Sequence, residues 1–497
     1  MIESNTPILV GCGQVTLRNE EKRSVSCLSE LVQDAVQKAA VDTGLGAGLF
    51  EHVDGLACVH GMQVGAQSLA SNLANHFRLE NSTRLFRSTA GGNSPQWLLN
   101  LFAQKISQGV LDTVILAGGE MLGGEEHGAF SAPLFGDRSV KEIGDIRQGS
   151  NQYEIAHGLM LPSQMYPLFE NALCHHYGHS KHLHAQKLGE LYAYFSQVAA
   201  DNPYAWSQSP LSVEDIINPS ASNHYIAYPY TRHMNAMIAV SQSAALVLTS
   251  VKTARKLGID ESQWVFIHGV SDTHDHWFPS ERRNFYSSPG MGLAAKKAFL
   301  MAEKSIDEMD FIDLYSCYPS AVEIARDELG IADDDLRHLT VTGGLRFHGG
   351  AGNNYAMHSI ARSMDLLRRT PGTWSLVTAM GWHLTKHSFG IYSTEPFEGR
   401  WSRQDPAEYQ SDLNVLSGTE LVLFPRGAAT IETYTVTFDF KGRPEKGIIV
   451  GLLEDKRRFL AHTPEDPMVC EQLMTEDVIG NTGFVSPHGD VNLFQLD

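Results

Sequence analysis

A tyrosine, a cysteine and a histidine of this chain lie close in sequence to one glycine-rich turn. Tyr315 and Cys317 fall in LYSCYPSAV (Leu314–Val322), and His348 falls in TVTGGLRFHGGAGNNY (Thr340–Tyr355). A phenol or an imidazole can move a proton in a transition state, and a thiol becomes a nucleophile once it is a thiolate. Five glycines between Gly343 and Gly352 mark backbone that takes φ > 0 or admits a close neighbour. Gly349, Gly350, Asn353 and Asn354 belong to this turn. A second glycine pair with a polar neighbour, Gly91-Gly92-Asn93 in FRSTAGGNSPQWLLN, opens onto a helix-like run, and Ala379 sits in the apolar LVTAMGW.

Each of these residues also has a structural reading. Cys317, in an apolar strand-to-helix turn, reads as a packing cysteine. His348 reads as a satisfied core histidine. A buried Tyr315 needs a polar partner whatever its role, and Asn353 and Asn354 suit loop capping. His175, His176, His179, His182 and His184 crowd one stretch, but Gly178 interrupts HHxxH. No acidic residue has convincing ligand spacing, so the expectation is no metal, with structural or solvent-exposed histidines. The GxG and GG pairs lack the GxGxxG-plus-acid context of a dinucleotide site.

The elements that must hold these residues alternate. TPILVGCGQV is strand-like; Ser26–Ala40 repeats apolar residues at helical spacing; HVDGLACVHG, the helix Asn93–Gln108 and TVILAGGE follow. Alternation resumes with a helix-rich Met234–Leu257, then WVFIHGVSD, a helix near Gly292–Ser305, FIDLYSC, a helix Ser320–Leu329, a strand-like LTVT before the glycine turn, and LVTAMGW. Such alternation predicts a parallel α/β layer fold, and TVILAGGEM echoes WSLVTAMGW as an internal duplication would. Between them the pattern breaks, with one clear helix around His184–Ala199. The expected organisation is a first half at 1–120 and 226–258, an insertion at 121–225, a second half at 259–395, a linker at 396–417, and a β-rich domain at 418–497. Short strands with turn residues between them, and one helix near Pro467–Met474, make that last domain a small β-barrel or sandwich.

The 497 residues exceed one hydrophobic core. A net charge of −19 argues against nucleic acid and anionic membranes as partners. From Glu420 to Asp497 seven basic residues face thirteen acidic ones, which makes the β-domain a poor single-strand binder. No apolar run reaches membrane-spanning length, no secretory signal is evident at the start, and six scattered cysteines without CxxC suit a reducing compartment. A cytoplasmic location is expected.

Taken in order, these segments resemble thiolases. FRSTAGGNSPQWLLN stands where the nucleophile segment NQLCGSG occurs, TVILAGGE where IIVAGGME occurs, and LYSCYPSAV where NEAF or HDCF occurs. Thr342–Asn354 is similar to the NGG–x4–GHP–xG loop, and LVTAMGW to the CxGGG segment with its second cysteine. The resemblance covers residues 7–395, and AxIETYTV and RRFLAxT extend it to type-1 thiolase-like proteins with an additional C-terminal domain. It implies a five-layer α/β thiolase body of two similar halves, an inserted loop domain, and a small OB-like β-barrel.

The resemblance also implies what is missing. The nucleophile position falls on Gly92 or Asn93, the histidine of GHP on Gly350, and the second cysteine on Ala379 or Met380. Tyr315 takes the place of the Asn or His of NEAF/HDCF, and His348 that of a leucine. The implied activity is acetyl-CoA acetyltransferase-like acyl transfer without the usual Cys/His/Cys set, with no covalently bound cofactor and a coenzyme A thioester as substrate or ligand. The pocket would comprise Gly92, Asn93, Gly349, Gly350, Asn353 and Ala379, with Tyr315, His348 and Cys317 as candidate catalytic groups. Thiolase-like retro-aldolases also lack the cysteine, use tyrosines and work with an OB-fold partner. Tyr315 matches one of their tyrosines, and Gly350 stands at the other. A non-catalytic acyl-CoA-binding protein is the third reading. Thiolases commonly pair through the strand near the nucleophile segment, so the resemblance allows a homodimer, and an added domain that blocks or replaces that contact leaves a monomer equally open.

Overall fold

The computed structural model describes residues 2–18, 25, 27–63, 68–123 and 138–497. Part of the expected insertion, 124–137, lies outside the described residues. The first half of the body orders its strands Arg84–Ser88, Gly55–Cys58, Thr113–Met121, Ser241–Ser250 and Pro7–Thr16. The second half runs the other way, Val265–His274, Lys386–Ser393, Trp374–Gly381 and Phe311–Asp313. Pairing repeats across the two. Gly55–Cys58 and Phe311–Asp313 join their neighbours in parallel, and Ser241–Ser250 and Lys386–Ser393 are antiparallel on both sides. Among the described residues, the strands of the two halves pair at Ile8↔Phe266 and Leu9↔Val265. This is the topology of an internal duplication.

Helices Ser94–Ser107 and Tyr355–Arg369 contact each other and strands of both halves, so they form the central layer. Helix Leu28–Asp42 covers the outer face of the first half and Pro289–Ala302 that of the second. The result is the expected five-layer α/β body. Its central strands are buried on both faces; all ten residues of Ser241–Ser250 are inaccessible. That burial explains one difference from the sequence reading, where Met234–Leu257 looked helix-rich. A short run of Ser, Ala, Val and Leu without alternation fits a doubly buried strand as well as a buried helix, and here only Val251–Leu257 is helical. LTVT is not a strand either. Val341 N and the Thr340 hydroxyl donate to the Asp313 carboxylate at 2.9 and 3.0 Å, so a buried acid replaces the ladder.

The insertion carries more helix than its composition suggested, with Pro162–His176 and Lys181–Ala200 packed on the second half. The segment 396–417, without a sustained period, holds helix Pro406–Asn414 capped by Asp405. Its buried Tyr409 hydroxyl accepts from Asp272 N at 3.0 Å.

The C-terminal strands Gly427–Phe438, Pro444–Leu453, Arg458–His462, Thr482–His488 and Val491–Leu496 close a five-stranded barrel in the order 1-2-3-5-4-1. Helix Pro467–Thr475 lies between its third and fourth strands. This is an OB-like barrel, and it is docked. Fully buried Arg458 pairs with Glu432 and donates to Ser280 O of the body at 2.8 Å. Asn171 of the insertion donates to Tyr434 O at 2.8 Å.

Candidate functional site

Tyr315 follows the short strand Phe311–Asp313, and its N–H donates to Thr378 Oγ1 at 2.9 Å. That bond fixes its backbone against strand Trp374–Gly381, and its ring stands edge-on to Tyr355 with centroids 5.5 Å apart. The phenol is aimed at Gly92. A Cβ on Gly92 would overlap Tyr315 Oη outright and stand 2.6 Å from the Met380 carbonyl oxygen. The Tyr315 hydroxyl therefore fills the space into which a side chain at position 92 would grow. Burial, then neighbouring Cys317 and Tyr355, hold the phenol pKa well above its ordinary value. The group is a proton donor at neutral pH and not a phenolate.

The glycine turn differs at its second key position. A Cβ on Gly350 would meet nothing closer than 3.5 Å, from Leu345 Cδ2 and Met237 O. Gly349 and Gly352 are required by their surroundings, with φ of +111° and +53° and side chains of Gln242 and Glu120 in the space a Cβ would need. Asn353 bridges backbone: its Oδ1 accepts from Gly91 N at 3.0 Å and its Nδ2 donates to His60 O at 2.8 Å. It thus ties the two glycine-rich turns together.

His348 points into the core, wholly buried, with its ring 5.8 Å from Tyr355 and 4.9 Å from His358. Burial lowers its pKa to about 4, so it is neutral. Tyr355 touches both Tyr315 and His348, and its hydroxyl lies 2.6 Å from Thr342 Oγ1. Cys317 is a free thiol that burial pushes up to about 12, which leaves almost no thiolate. Ala379 is buried within the sheet opposite Ser388. Asn93 donates to Ser388 Oγ at 3.2 Å. Gly92, Tyr315 and the Met380 carbonyl are therefore brought together, whereas His348 lies behind Tyr355.

Two groups escaped the sequence reading. Glu120, at the end of strand Thr113–Met121, packs under Gly352. Its Oε1 accepts from Met62 N at 2.7 Å, while Oε2 has no hydrogen-bond partner among the described residues. Burial raises this carboxyl to about 7, the range of a general base poised at neutral pH. Beside it, Asn354 is buried against Gly118 with both side-chain polar atoms unpartnered among the described residues. The available signal was an acid directly after the glycines of a strand that otherwise reads as buried. Lys386 is the second. Its ammonium donates to Ala90 O at 2.6 Å, and burial lowers its pKa to about 8. With Asn93, Ser94, Trp97, His274 and Trp277 it lines a cavity of about 550 Å³.

Residues 410–490 match the family model of the thiolase-like protein type 1 additional C-terminal domain. Over its full length the chain is similar to a monomeric SCP2-thiolase like protein type 1 from Mycobacterium smegmatis, at 35% identity and a TM-score of 0.87, with 100% of each chain covered. An Ltp2-ChsH2(DUF35) aldolase shares the fold at 22% identity and a TM-score of 0.61, over 78% of this chain and 98% of that one. An acetyl-CoA acetyltransferase of Methanocaldococcus jannaschii is 24% identical over 328 residues, 65% of this chain and 75% of that protein.

Proposed function

This chain belongs to the type-1 thiolase-like proteins, and from that membership we propose that it handles an acyl-CoA thioester at the glycine turn without forming an acyl-enzyme. One observation carries the reading: the Tyr315 hydroxyl fills the space that a side chain at Gly92, one of the two positions the resemblance gives the nucleophile, would need. Covalent acyl transfer needs a thiolate there and a base to make it. The only nearby thiol, Cys317, is held protonated, and the nearby imidazole, His348, is sealed in the core. What remains are a protonated phenol and a buried acid, groups suited to polarising a bound thioester. The test is direct. Calorimetry with acetyl-CoA and longer acyl-CoA esters should show binding, while intact-mass spectrometry should show no acyl adduct and thiolysis of acetoacetyl-CoA should be absent. An acyl adduct, or no affinity for any CoA ester, would overturn it.

A second reading, retro-aldol cleavage of a β-hydroxyacyl-CoA, rests on the Tyr315 phenol at Gly92 and the unpartnered Glu120 oxygen under Gly352, groups at two glycine-rich turns that Asn353 links. A base takes the β-hydroxyl proton, the Cα–Cβ bond breaks to release an aldehyde or ketone, and its electron pair stays as the thioester enolate, which takes one proton. Tyr315 suits the proton donor and Glu120 the base. Carbonyl release from a β-hydroxyacyl-CoA panel, lost in both Tyr315→Phe and Glu120→Gln, would support it; unchanged turnover in both would remove it.

For assembly, the strand Arg84–Ser88 next to the nucleophile segment is paired along Leu85–Ser88 with the chain's own Val140–Ile143. With that edge covered, a monomer is the favoured state. Light scattering giving twice the chain mass would contradict it. No helix among the described residues is long and apolar enough to cross a membrane.

A further inference from the structure

Away from the glycine turns, three buried side chains converge from three helices, two of them consecutive in the insertion and the third from the second half of the body. Glu170 comes from Pro162–His176, His184 from Lys181–Ala200, and Glu323 from Pro319–Leu329. They are 0%, 3% and 5% exposed, and their three ligand-type atoms all lie within 4.8 Å of one another. His184 Nε2 is 2.6 Å from Glu170 Oε1 and 4.0 Å from Glu323 Oε2. Glu323 Oε2 has no hydrogen-bond partner among the described residues. Two carboxylates facing each other in a core are strongly unfavourable unless a proton or a cation lies between them.

The atoms around the cluster set how its donors are held. His184 Nδ1 lies 3.2 Å from His179 Nδ1, so the second ring nitrogen is engaged and Nε2 is left facing the carboxylates. The Tyr230 hydroxyl donates to the outer oxygen of Glu170, Oε2, at 2.6 Å, and also meets Ser320 Oγ at 2.8 Å. Both first-rank groups thus have their far atoms held by a second rank of partners, which orients the near atoms toward one point. This is how proteins hold metal ligands. Ligand bonds of about 2.0–2.2 Å in a tetrahedral site place donor atoms roughly 3.3 Å apart, intermediate between the 2.6 and 4.0 Å separations here.

We propose that Glu170, His184 and Glu323 form a binding site for a divalent transition-metal ion, with Zn²⁺ as its best-matched occupant, clamping the inserted helices to the second half of the body. One imidazole and two carboxylates suit Zn²⁺ over Mg²⁺ or Ca²⁺, which favour all-oxygen sets. The ion takes the place of any proton shared by the two acids, so binding releases protons and strengthens as pH rises through the mildly acidic range. The site is remote in kind from the thioester chemistry and does not depend on it.

The test uses the untagged full-length chain, freed of metal with a chelating resin and titrated with Zn²⁺ alone, then with Mn²⁺ in a separate arm. One equivalent of Zn²⁺ should bind and raise the melting temperature, and Co²⁺ substitution should give the absorption bands of a tetrahedral site. Glu323→Gln should lower Zn²⁺ affinity at least tenfold while keeping the metal-free melting temperature, because the amide can still donate to Glu170 as a protonated acid would. His179→Ala, a change at a partly exposed residue, should weaken binding about tenfold through loss of orientation and stands in if Glu323→Gln does not fold. The surface histidines His175, His176 and His182 remain in both variants and control for adventitious binding. Absence of stoichiometric Zn²⁺ in the wild type, or equal binding in both variants, would overturn the proposal and leave a shared proton between the acids.

Discussion

On the resemblance to thiolases, the nucleophile position falls on Gly92 or Asn93 and the histidine position on Gly350, and the two glycines sit in different surroundings. At Gly92 the neighbouring space is filled by Tyr315 Oη and the Met380 carbonyl. At Gly350 the neighbouring space is open to at least a Cβ. The nucleophile is excluded by packing, whereas the histidine is simply not there. A side chain at Gly92 would have to displace the Tyr315 phenol, so restoring a cysteine there alone is not expected to give thiolase chemistry.

The largest expected effect breaks this comparison at Gly92. Gly92→Cys must displace a buried phenol and press on a backbone carbonyl, and overpacking of that kind costs roughly 1–3 kcal/mol, with the upper end expected where backbone is the obstacle. Chemical denaturation should show a lowered midpoint at unchanged slope. Adding Tyr315→Ala should recover part of the loss, and Gly92→Cys alone should carry no thiolysis activity. A wild-type midpoint for Gly92→Cys would mean that the phenol does not guard that space.

The next effect separates the two sides of the glycine turn by pH. Glu120 has its pKa raised to about 7 by burial, from about 4.3 in an unfolded chain. Its burial is unopposed below the unfolded value, and the associated stability is lost as pH rises through about 7, up to about 4 kcal/mol. Glu120→Gln should thus gain on the wild type at pH 8 and gain little at pH 4.5. His348 has the opposite sign. Its pKa is lowered to about 4, so its contribution is complete above the unfolded value near 6.5 and falls away as pH drops toward 4, at ~1.4 kcal/mol per pH unit at most. His348→Leu should gain on the wild type at pH 5 and not at pH 8. Thermal melts of the three proteins at these pH values check both signs, and parallel curves would refute the burial assigned to either group.

The sequence was most legible where order and spacing mattered. The glycine turn, the strand TVILAGGE and the helix after Gly92 lie where their chemistry predicted, because glycine density and apolar periodicity are local properties. The barrel was legible for the same reason, from short strands with turn residues between them. What stayed hidden was non-local. Nothing in FRSTAGGN or LYSCYPSAV says that Tyr315 enters the space beside Gly92, since that depends on how two strand ends meet. Glu120 sits in a run that reads as plain core, and its raised pKa follows from burial that only the packed body supplies. In the histidine-rich stretch Gly178 breaks HHxxH and no acidic residue has convincing ligand spacing, whereas Glu170 and Glu323 reach His184 from two other helices. Ser241–Ser250 was misread because a strand buried on both faces loses the alternation that identifies strands.

The smallest effect sharpens the comparison at Gly350. Its nearest prospective neighbours, at 3.5 Å and beyond, are in ordinary van der Waals contact range, and its φ lies outside the left-handed region, unlike Gly349 and Gly352. Gly350→Ala should change stability by less than about 1 kcal/mol and can stabilise, because alanine restricts the unfolded chain more than glycine does. Gly350 N–H donates to Met237 O at 2.8 Å, and a Cβ leaves that bond in place. Gly349→Ala is the matched control: there φ is +111° and Gln242 Oε1 blocks the Cβ, so a loss of a few kcal/mol is expected. Equal losses at the two adjacent glycines would show that the turn tolerates no side chain at all, and the contrast between a filled and an open position would fail.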